Sequence, residues 1–313
     1  MIKFKNNYFD IFVIVISLIC LIEIVFNKDM IFNTVAYSLN LWVNSIIPSL
    51  FPFFIISNIM ISYDAVNYIP LFIKKIFRVI FKVNDNILTL FFLSILSGFP
   101  SSGINTRLMY DRHMIDSYEA SRALVFTHFA NPLFILGTVG TLFLHNSEFG
   151  MIIMISHYIP NIILGIMTRS DIKNSCIKNN NYYNKISFPK IFIDSIKKAI
   201  DNLLLIVGTV TCFLVISVII TNIFNFDIYT ESIIKGILEM TIGLKSIASL
   251  NIASIYKVVI SSMILSFGGL SVHMQILSFI EDTNISYKSF FIARIYHSIL
   301  SGVFAYILYY FFI

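Results

Sequence analysis

Residues 200–221, IDNLLLIVGTVTCFLVISVIIT, decide the fold class of this chain. From Asn202 onward the stretch carries no charged residue and consists mostly of Leu, Ile, Val and Thr. A helix needs about 20 predominantly apolar residues to cross the hydrocarbon core of a bilayer. The stretch therefore predicts a transmembrane helix.

The same apolar character continues on both sides of this helix. Hydrophobic residues make up 57% of the 313 residues, charged residues only 12%, and the mean hydropathy is +0.83. A soluble domain needs far more charge to cover its surface. Further apolar blocks occupy residues 8–26, 31–62, 87–97, 123–144, 151–168, 232–250, 256–280 and 290–313. We therefore expect an all-α, polytopic integral membrane protein, with residues 1–30 as a retained N-terminal transmembrane helix.

Basic residues concentrate in two connecting segments, 74–82 and 169–198. Lys and Arg in short connectors mark the cytoplasmic side of membrane proteins, so the net charge of +5 indicates topology and no nucleic-acid partner is expected. If both connectors face that side, an even number of helices must cross between them. Three apolar blocks lie there, so the short block 87–97 is predicted to be re-entrant. The absolute orientation stays open.

Four apolar blocks contain Pro or Gly, at Pro48 and Pro52, at 97–103 (SGFPSSG), at Asn131-Pro132 and at 266–269 (SFGG). Such residues free backbone N–H and C=O groups, which cost several kcal/mol each in hydrocarbon (order of magnitude). Irregular backbone at membrane depth persists only where protein buries it or where it lines a wet cavity. The pattern predicts discontinuous helices around a substrate cavity.

Polar residues at the breaks are the candidate binding groups. The first break offers hydroxyls and the N-terminus of a following half-helix, which suits a carboxylate or phosphate. The second break adds an imidazole and an amide that can hydrogen-bond a solute. The predicted ligands are Ser97, Gly98, Pro100, Ser101, Ser102 and Arg107 at the first break, and Ser266, Gly268, Gly269, Ser271, His273 and Gln275 at the second. The alternatives are a tight helix crossing at the first break and a flexible kink at the second.

Five further polar residues lie inside apolar blocks. His128 and Asn131 are three apart and share a helical face, as are Arg294 and His297. We expect Asn131 and Arg294 to contact an anionic solute, while the alternative for Arg294 is snorkelling to the interface. Glu239 is the coupling candidate, as a proton carrier or cation ligand, and its alternative is an ion pair with Lys235 or Lys245.

Motifs of catalysis and cofactor binding are largely missing from the sequence. The three cysteines, Cys20, Cys176 and Cys212, lack metal-ligand spacing, and no phosphate-binding glycine loop is found. We expect no cofactor, no metal and no enzymatic activity. One remote alternative is an intramembrane serine protease, with Ser271 as nucleophile and His297 as base.

Five motifs follow one another in a recognisable order. They are PSLFPFF at 48–54, SGFP at 97–100, NPLF at 131–134, GILEMTIG at 236–243 and SFGGLSVHMQ at 266–275. In this order they resemble a family of sporulation integral membrane proteins with a gate, or nucleoside-recognition, domain. That domain is similar to the core of concentrative nucleoside transporters. The likeness of ILSGFPSS (95–102) to ILSFGGLS (264–271) adds a possible internal repeat.

The resemblance implies a fold and a function. It implies a first gate-like half over 31–168, a basic cytoplasm-like connector over 169–198 and a second gate-like half over 199–313. It also implies transport of dipicolinic acid across the outer forespore membrane, from the mother cell toward the forespore. A nucleoside or another small solute is an alternative substrate, and a non-transporting role in spore-envelope assembly is an alternative function. The oligomeric state is left open.

Overall fold

The computed structural model describes residues 7–170 and 187–313. The described residues are 85% helical and contain no strand. The α-helices are α1 (Asn7–Phe26), α2 (Lys28–Leu41), α3 (Ile47–Ser62), α4 (Leu71–Phe81), α5 (Asp85–Ser97), α6 (Ser101–Asp111), α7 (Ser117–Phe126), α8 (Ser147–Met167), α9 (Phe188–Phe224), α10 (Ile228–Leu238), α11 (Met240–Ser249), α12 (Ser254–Phe267), α13 (Gly269–Ile280) and α14 (Tyr287–Phe312). Two π-helical segments, Trp42–Ile46 and Phe134–Phe143, and a 3₁₀ turn at Ala65–Tyr68 complete the helical structure.

Four helical stretches of the described chain are long and apolar enough to cross a bilayer. They are α8, α9, α12 together with α13, and α14. Two bent pairs raise the number to six if each pair forms one span: residues 10–46, bent by 99°, and 71–97, bent by 92°. The all-helical membrane architecture predicted from the apolar blocks is thus confirmed. The second bend lies directly before α5, the segment predicted to be re-entrant.

Apolar side chains cover both the outside and the inside of the molecule. On α1, residues such as Phe12, Leu18 and Leu21 are exposed, as expected where lipid is the solvent. The main core includes Leu88, Phe126 and Leu265, all fully buried. A second cluster joins α3 to α9.

The block 31–62 does not break at its prolines. The chain stays helical from Lys28 to Ser62, and Pro52 lies inside α3. Pro48 has no N–H to donate to the preceding turn, and the π-helical segment Trp42–Ile46 lies immediately before it. The predicted interruption is therefore corrected to a widened turn within a continuous helix.

The predicted segment boundaries shift at two places. The segment 1–30 contains α1 and the first turn of α2, because the chain turns sharply after Phe26. The connector 169–198 overlaps α9, which already begins at Phe188 and runs for 37 residues. Residues 171–186 of that connector lie outside the described residues.

Candidate functional site

Four short breaks, labelled A to D, interrupt the helices between residues 98 and 268. Break A lies at Gly98 to Pro100, between α5 and α6; its Phe99-Pro100 peptide bond is cis. Break B spans 127–133, between α7 and the π-helical segment that follows. Break C is the single residue Glu239, between α10 and α11, and break D is Gly268, between α12 and α13.

Break A packs directly against break B. Gly98 has a φ of +74°, and a Cβ there would lie 2.5 Å from the backbone nitrogen of Asn131, so only glycine fits. Asn131 in turn fixes both breaks. Its Nδ2 donates to the carbonyl of Leu96 at 3.1 Å, and its Oδ1 accepts from the N–H of Leu133 at 2.7 Å. Both the amide nitrogen and the amide oxygen of Asn131, a predicted ligand, are therefore engaged by backbone groups.

Break D packs against break C in a similar way. Gly269 has a φ of +71°, and a Cβ there would lie 2.9 Å from the backbone nitrogen of Met240 and 3.4 Å from the Cα of Glu239. The preceding Gly268 has a φ of +90°, and its N–H donates to the carbonyl of Ile264 at 2.9 Å. Gly98 ends α5 with the equivalent bond to Ser94, also at 2.9 Å. Both predicted breaks thus begin with a glycine at positive φ whose N–H closes the preceding helix.

His128, in break B, brings breaks A and D together. Its Nδ1 lies 2.9 Å from the hydroxyl of Ser102 in the first turn of α6. Its Nε2 lies 3.9 Å from where a Cβ on Gly268 would be, at the start of α13. Phe99 stacks on the imidazole at 4.8 Å and Phe290 meets it edge-on at 4.9 Å. The N-termini of α6 and α13 therefore converge on one buried imidazole.

Both half-helices point their positive ends at this place. The first N–H groups of a helix lack intrahelical acceptors and carry partial positive charge. The two helices also pack on each other, since a Cβ on Gly103 would lie 2.5 Å from the side chain of Ile276. Ser271, in the first turn of α13, is fully buried, and its hydroxyl has no hydrogen-bond partner among the described residues. This arrangement can accept an anion that carries hydrogen-bond acceptors.

The remaining serines of break A stabilise the turn. Ser97 donates to the carbonyl of Leu93 at 2.6 Å and also contacts the hydroxyl of Ser101. Ser101 donates to the carbonyl of Gly98, which begins the break. These two predicted ligands are thus used inside the turn, which leaves Ser102 facing His128.

Arg294 on α14 is fully buried and binds neutral groups. Its guanidinium donates to the carbonyl oxygens of Val125 and His128 (3.3 Å for the latter). It also donates to Oδ1 of Asn161 and Nδ1 of His297, at 3.0 and 2.8 Å. The two carbonyls belong to the end of α7 and to break B. Arg294 therefore caps a helix C-terminus, where a cation is stabilised by the helix dipole.

Asn161 and His157 on α8 complete the support of break B, and the sequence analysis missed both. Asn161 donates to the carbonyls of Phe126 and His128, both at 3.1 Å. His157 accepts from the N–H of Ala130 at 2.9 Å and contacts Ser266 of α12 at 2.9 Å. Their four-residue spacing on one face of an apolar helix, next to Pro160, was the signal that could have found them.

Glu239 caps α11. Its Oε2 accepts from the N–H of Ile242 at 3.0 Å, and its Oε1 accepts from the hydroxyl of Thr241 at 3.1 Å. The alternative ion pairs are not formed: Lys235 pairs with Glu231, and Lys245 lies over the ring of Tyr37 at 4.6 Å. A carboxylate at a helix N-terminus satisfies orphan N–H groups, which is a structural use of this buried acid.

Arg107 lies away from the buried site. It forms ion pairs with Asp111 at 2.8 Å and with Asp282, and its Nη1 donates to the carbonyl of Phe279 at 3.0 Å. Arg107 is a predicted ligand at break A, and in the structure two carboxylates occupy its guanidinium. Arg107, Asp111 and Asp282 line an open cleft of about 640 Å³ at the ends of α6 and α13 farthest from break A.

Two predicted ligands of the second break also have partners elsewhere. His273 contacts the hydroxyl of Tyr287 and the carbonyl of Phe267, both at 3.1 Å. Gln275 donates to the hydroxyl of Thr209 on α9 at 2.8 Å, while its Oε1 is buried without a partner among the described residues. Gln275 therefore faces α9.

The protease dyad is not formed. His297 uses one ring nitrogen for Arg294 and the other for the carbonyl of His157, at 2.7 Å, so it does not hydrogen-bond to Ser271. Among the described residues, no group of three His, Cys, Asp or Glu side chains is placed to hold a metal ion.

Comparison with known proteins agrees with the architecture. No protein-family model matches the chain, and no solved structure matches it. The chain is similar to the "Sporulation integral membrane protein YlbJ" of Bacillus subtilis (strain 168). The two are 27% identical over 307 residues, an alignment that covers 86% of this chain and 75% of that protein. A similarity of this extent supports the family of sporulation integral membrane proteins that the sequence motifs resemble, and with the apolar helices it supports an integral membrane protein.

Proposed function

We propose that this protein is a carrier for a small organic anion, and that its substrate during sporulation is dipicolinic acid. The observation that carries the proposal is the convergence of the α6 and α13 N-termini on His128. Half-helices that meet within a membrane bundle are typical of transporter substrate sites, because their free N–H groups replace the water around an anion. The proposed location is the outer forespore membrane, with movement toward the forespore.

The chemistry of the site suits a flat dicarboxylate. Dipicolinate carries two carboxylates on opposite sides of a ring nitrogen, and two positive helix ends approach this site from different helices. The Ser271 hydroxyl adds a donor that is free of protein partners among the described residues. Ring stacking on Phe99 is limited to one face, because His128 covers the other.

Transport requires this site to open. His128 and Ser271 are buried, so α6 and α13 must separate before a solute reaches them. The gate-like organisation inferred from the sequence motifs fits such a movement, with the half-helices rearranging around a central site. The same motifs resemble the cores of concentrative nucleoside transporters, and we include a relationship to those cores in this proposal.

Uptake into liposomes tests the function. Purified protein is reconstituted and incubated with radiolabelled dipicolinate, with empty liposomes as the blank. We expect saturable uptake above the blank, and unlabelled dipicolinate should compete. Uptake of a labelled nucleoside without dipicolinate uptake would overturn the substrate assignment.

Spore chemistry provides the cellular counterpart. A deletion strain should make spores depleted of dipicolinate, and the intact gene should restore the content. Spores of the deletion strain with normal dipicolinate content would favour a role in envelope assembly instead.

A further inference from the structure

Four histidines are buried in the described part of the chain, and three of them are fully engaged by protein groups. These three are His157, His273 and His297, each with a partner on both ring nitrogens. The fourth, His128, is 1% exposed, and its Nε2 has no hydrogen-bond partner among the described residues. A buried polar atom without a partner costs about 1–3 kcal/mol, so such an atom calls for a ligand or a water molecule.

The partners fix the neutral tautomer of the other three rings. His157 accepts a backbone N–H at Nε2, so its proton sits on Nδ1 and faces Ser266. His297 accepts from Arg294 at Nδ1, so Nε2 donates to a carbonyl. His273 donates from Nε2 to the Phe267 carbonyl and accepts at Nδ1 from Tyr287. None of these rings has a donor left for a solute.

The hydrogen bond to Ser102 indicates which ring nitrogen of His128 carries the proton. The only hydrogen-bond partner of its buried hydroxyl among the described residues is Nδ1 of His128, at 2.9 Å. Donation to that nitrogen satisfies the hydroxyl hydrogen, which would otherwise be buried without an acceptor. Nδ1 then accepts, and the proton of the neutral ring sits on Nε2. His128 consequently presents an N–H donor at the start of α13.

The ring cannot easily turn away from this orientation. Phe99 stacks on it at an interplanar angle of 11°, and Phe290 packs edge-on at 82°. A donor held rigidly in a buried site loses little entropy when it binds an acceptor, which makes it effective in recognition. The nearby α13 N-terminus attracts the same kind of ligand.

We propose that Nε2–H of His128 donates a hydrogen bond to a carboxylate oxygen of the bound solute, with the α13 N-terminus binding the same carboxylate. This makes His128 a specificity-determining residue for carboxylates, and it rests on the proposed carrier function. Ser102 acts through His128 as a positioning residue, because it keeps the proton on Nε2.

Two substitutions at position 128 distinguish the roles of the two ring nitrogens. The amide of Asn occupies the place of Nδ1, so His128→Asn keeps the contact to Ser102 and removes the donor toward α13. The amide of Gln reaches the place of Nε2, so His128→Gln keeps that donor and loses the contact to Ser102. We expect His128→Asn to raise the KM for dipicolinate uptake about tenfold to a hundredfold, the loss of one hydrogen bond to a charged group. His128→Gln should raise the KM by less than His128→Asn does, because it keeps the donor toward α13. Equal KM values in wild type and His128→Asn, or a larger defect in His128→Gln, would overturn the proposal.

A second measurement uses the wild-type protein and does not depend on transport. Protein labelled with ¹⁵N-histidine in detergent micelles is titrated with dipicolinate, and separately with isophthalate, which keeps both carboxylates and lacks the ring nitrogen. We expect one protonated Nε2 resonance to shift with either ligand. A titration in which no histidine resonance moves overturns the role of His128 even if uptake occurs. Binding and a shift without uptake would instead count against the carrier function alone.

Discussion

Arg294 illustrates how a buried charge can serve the backbone. Its four bonded N–H groups all meet neutral acceptors, and within the described residues none of its partners is a carboxylate. Its two carbonyl acceptors lie where α7 ends and break B begins, so the guanidinium replaces the missing turn of helix. Arg294 was predicted to contact the substrate directly, but these contacts assign it to stabilising the backbone of break B.

Substitution of Arg294 should destabilise the fold more than substitution of Arg107. Arg294→Ala leaves the Val125 carbonyl, the Asn161 amide oxygen and Nδ1 of His297 without donors, at about 1–3 kcal/mol for each buried group. Arg294→Lys restores one charge without the planar fork and should recover only part of the loss. The control is Arg107→Ala, whose ion pairs are partly exposed and should matter by about 1 kcal/mol or less.

Thermal unfolding in detergent measures the difference. We expect a clearly lower Tm for Arg294→Ala than for Arg107→Ala. Equal Tm values for the two variants would contradict the assignment of Arg294 as the cap of α7.

At the scale of elements, glycines set how closely the broken helices approach. Gly98→Ala puts a methyl group 2.5 Å from a backbone nitrogen, and Gly269→Ala puts one 2.9 Å from another, both at positive φ. Backbone cannot move aside as a side chain can, so each change should cost about 3 kcal/mol or more. Gly208→Ala on α9 is the matched control, because nothing lies within 4 Å of its Cβ position.

The readouts are Tm in detergent and dipicolinate uptake. Gly98→Ala and Gly269→Ala should lose both, whereas Gly208→Ala should keep both and gain slightly in helix propensity. Normal behaviour of Gly98→Ala would mean that breaks A and B are not in contact.

Glu239 joins α10 to α11 through its cap. Glu239→Ala removes both acceptors and should destabilise by about 0.5–2 kcal/mol, the usual cost of losing an N-cap. Glu239→Gln keeps one oxygen for the N–H of Ile242 and should be milder. A Glu239→Gln variant as unstable as Glu239→Ala, measured by Tm, would indicate that the negative charge itself is needed.

Asp282 ties the connection after α13 to α6 through Arg107. Hydrogen bonds from Arg107 hold the pKa of Asp282 below its ordinary value of 3.8. A depressed pKa means that the ion pair contributes fully above 3.8 and weakens only as the pH falls below that value. The Tm difference between wild type and Asp282→Asn should therefore stay constant from pH 7 to about 4.5 and shrink below about 3.8.

The neighbouring acid provides a control for this pH series. Glu281→Gln changes an exposed carboxylate that forms no ion pair within the described residues, and it should leave the Tm unchanged at each pH. A wild-type advantage over Asp282→Asn that already disappears between pH 7 and 5 would contradict the ion pair as described.

At the scale of the whole molecule, topology can be mapped with single cysteines. The natural Cys20, Cys176 and Cys212 are replaced by Ser, and cysteines are introduced at Lys75, Lys190 or His145. Because α8 crosses the bilayer between 145 and 190, those two positions should react with a membrane-impermeant maleimide from opposite sides. Lys75 and Lys190 belong to the two basic connectors and should react from the same side. Labelling of positions 75 and 190 from opposite sides would show that 85–97 is not re-entrant.

Most of the helical architecture could be predicted from the sequence, because apolar block length and Pro or Gly breaks act locally. The meeting of breaks A and D could be expected from their similar sequences. The roles of individual polar residues were harder to predict, since Arg107 and Arg294 look alike in sequence but differ in their partners. Which partner a side chain finds depends on distant helices, as Asn161 and His128 show, and periodicity carries no information about those.

The length of α9 has a mechanical consequence. At about 1.5 Å per residue, 37 residues reach about 55 Å, whereas the hydrocarbon core is only about 30 Å thick. Its first turns carry Lys190, Asp194, Lys197 and Lys198, charged side chains that belong on the aqueous side of the bilayer. Ser195 in the same turns is fully buried and accepts a hydrogen bond from Asn58 of α3, so this end of α9 packs against the bundle. Further along, α9 contacts Gln275 of α13 through Thr209. A torque applied to the charged end would therefore reach both α3 and α13 without passing through any loop.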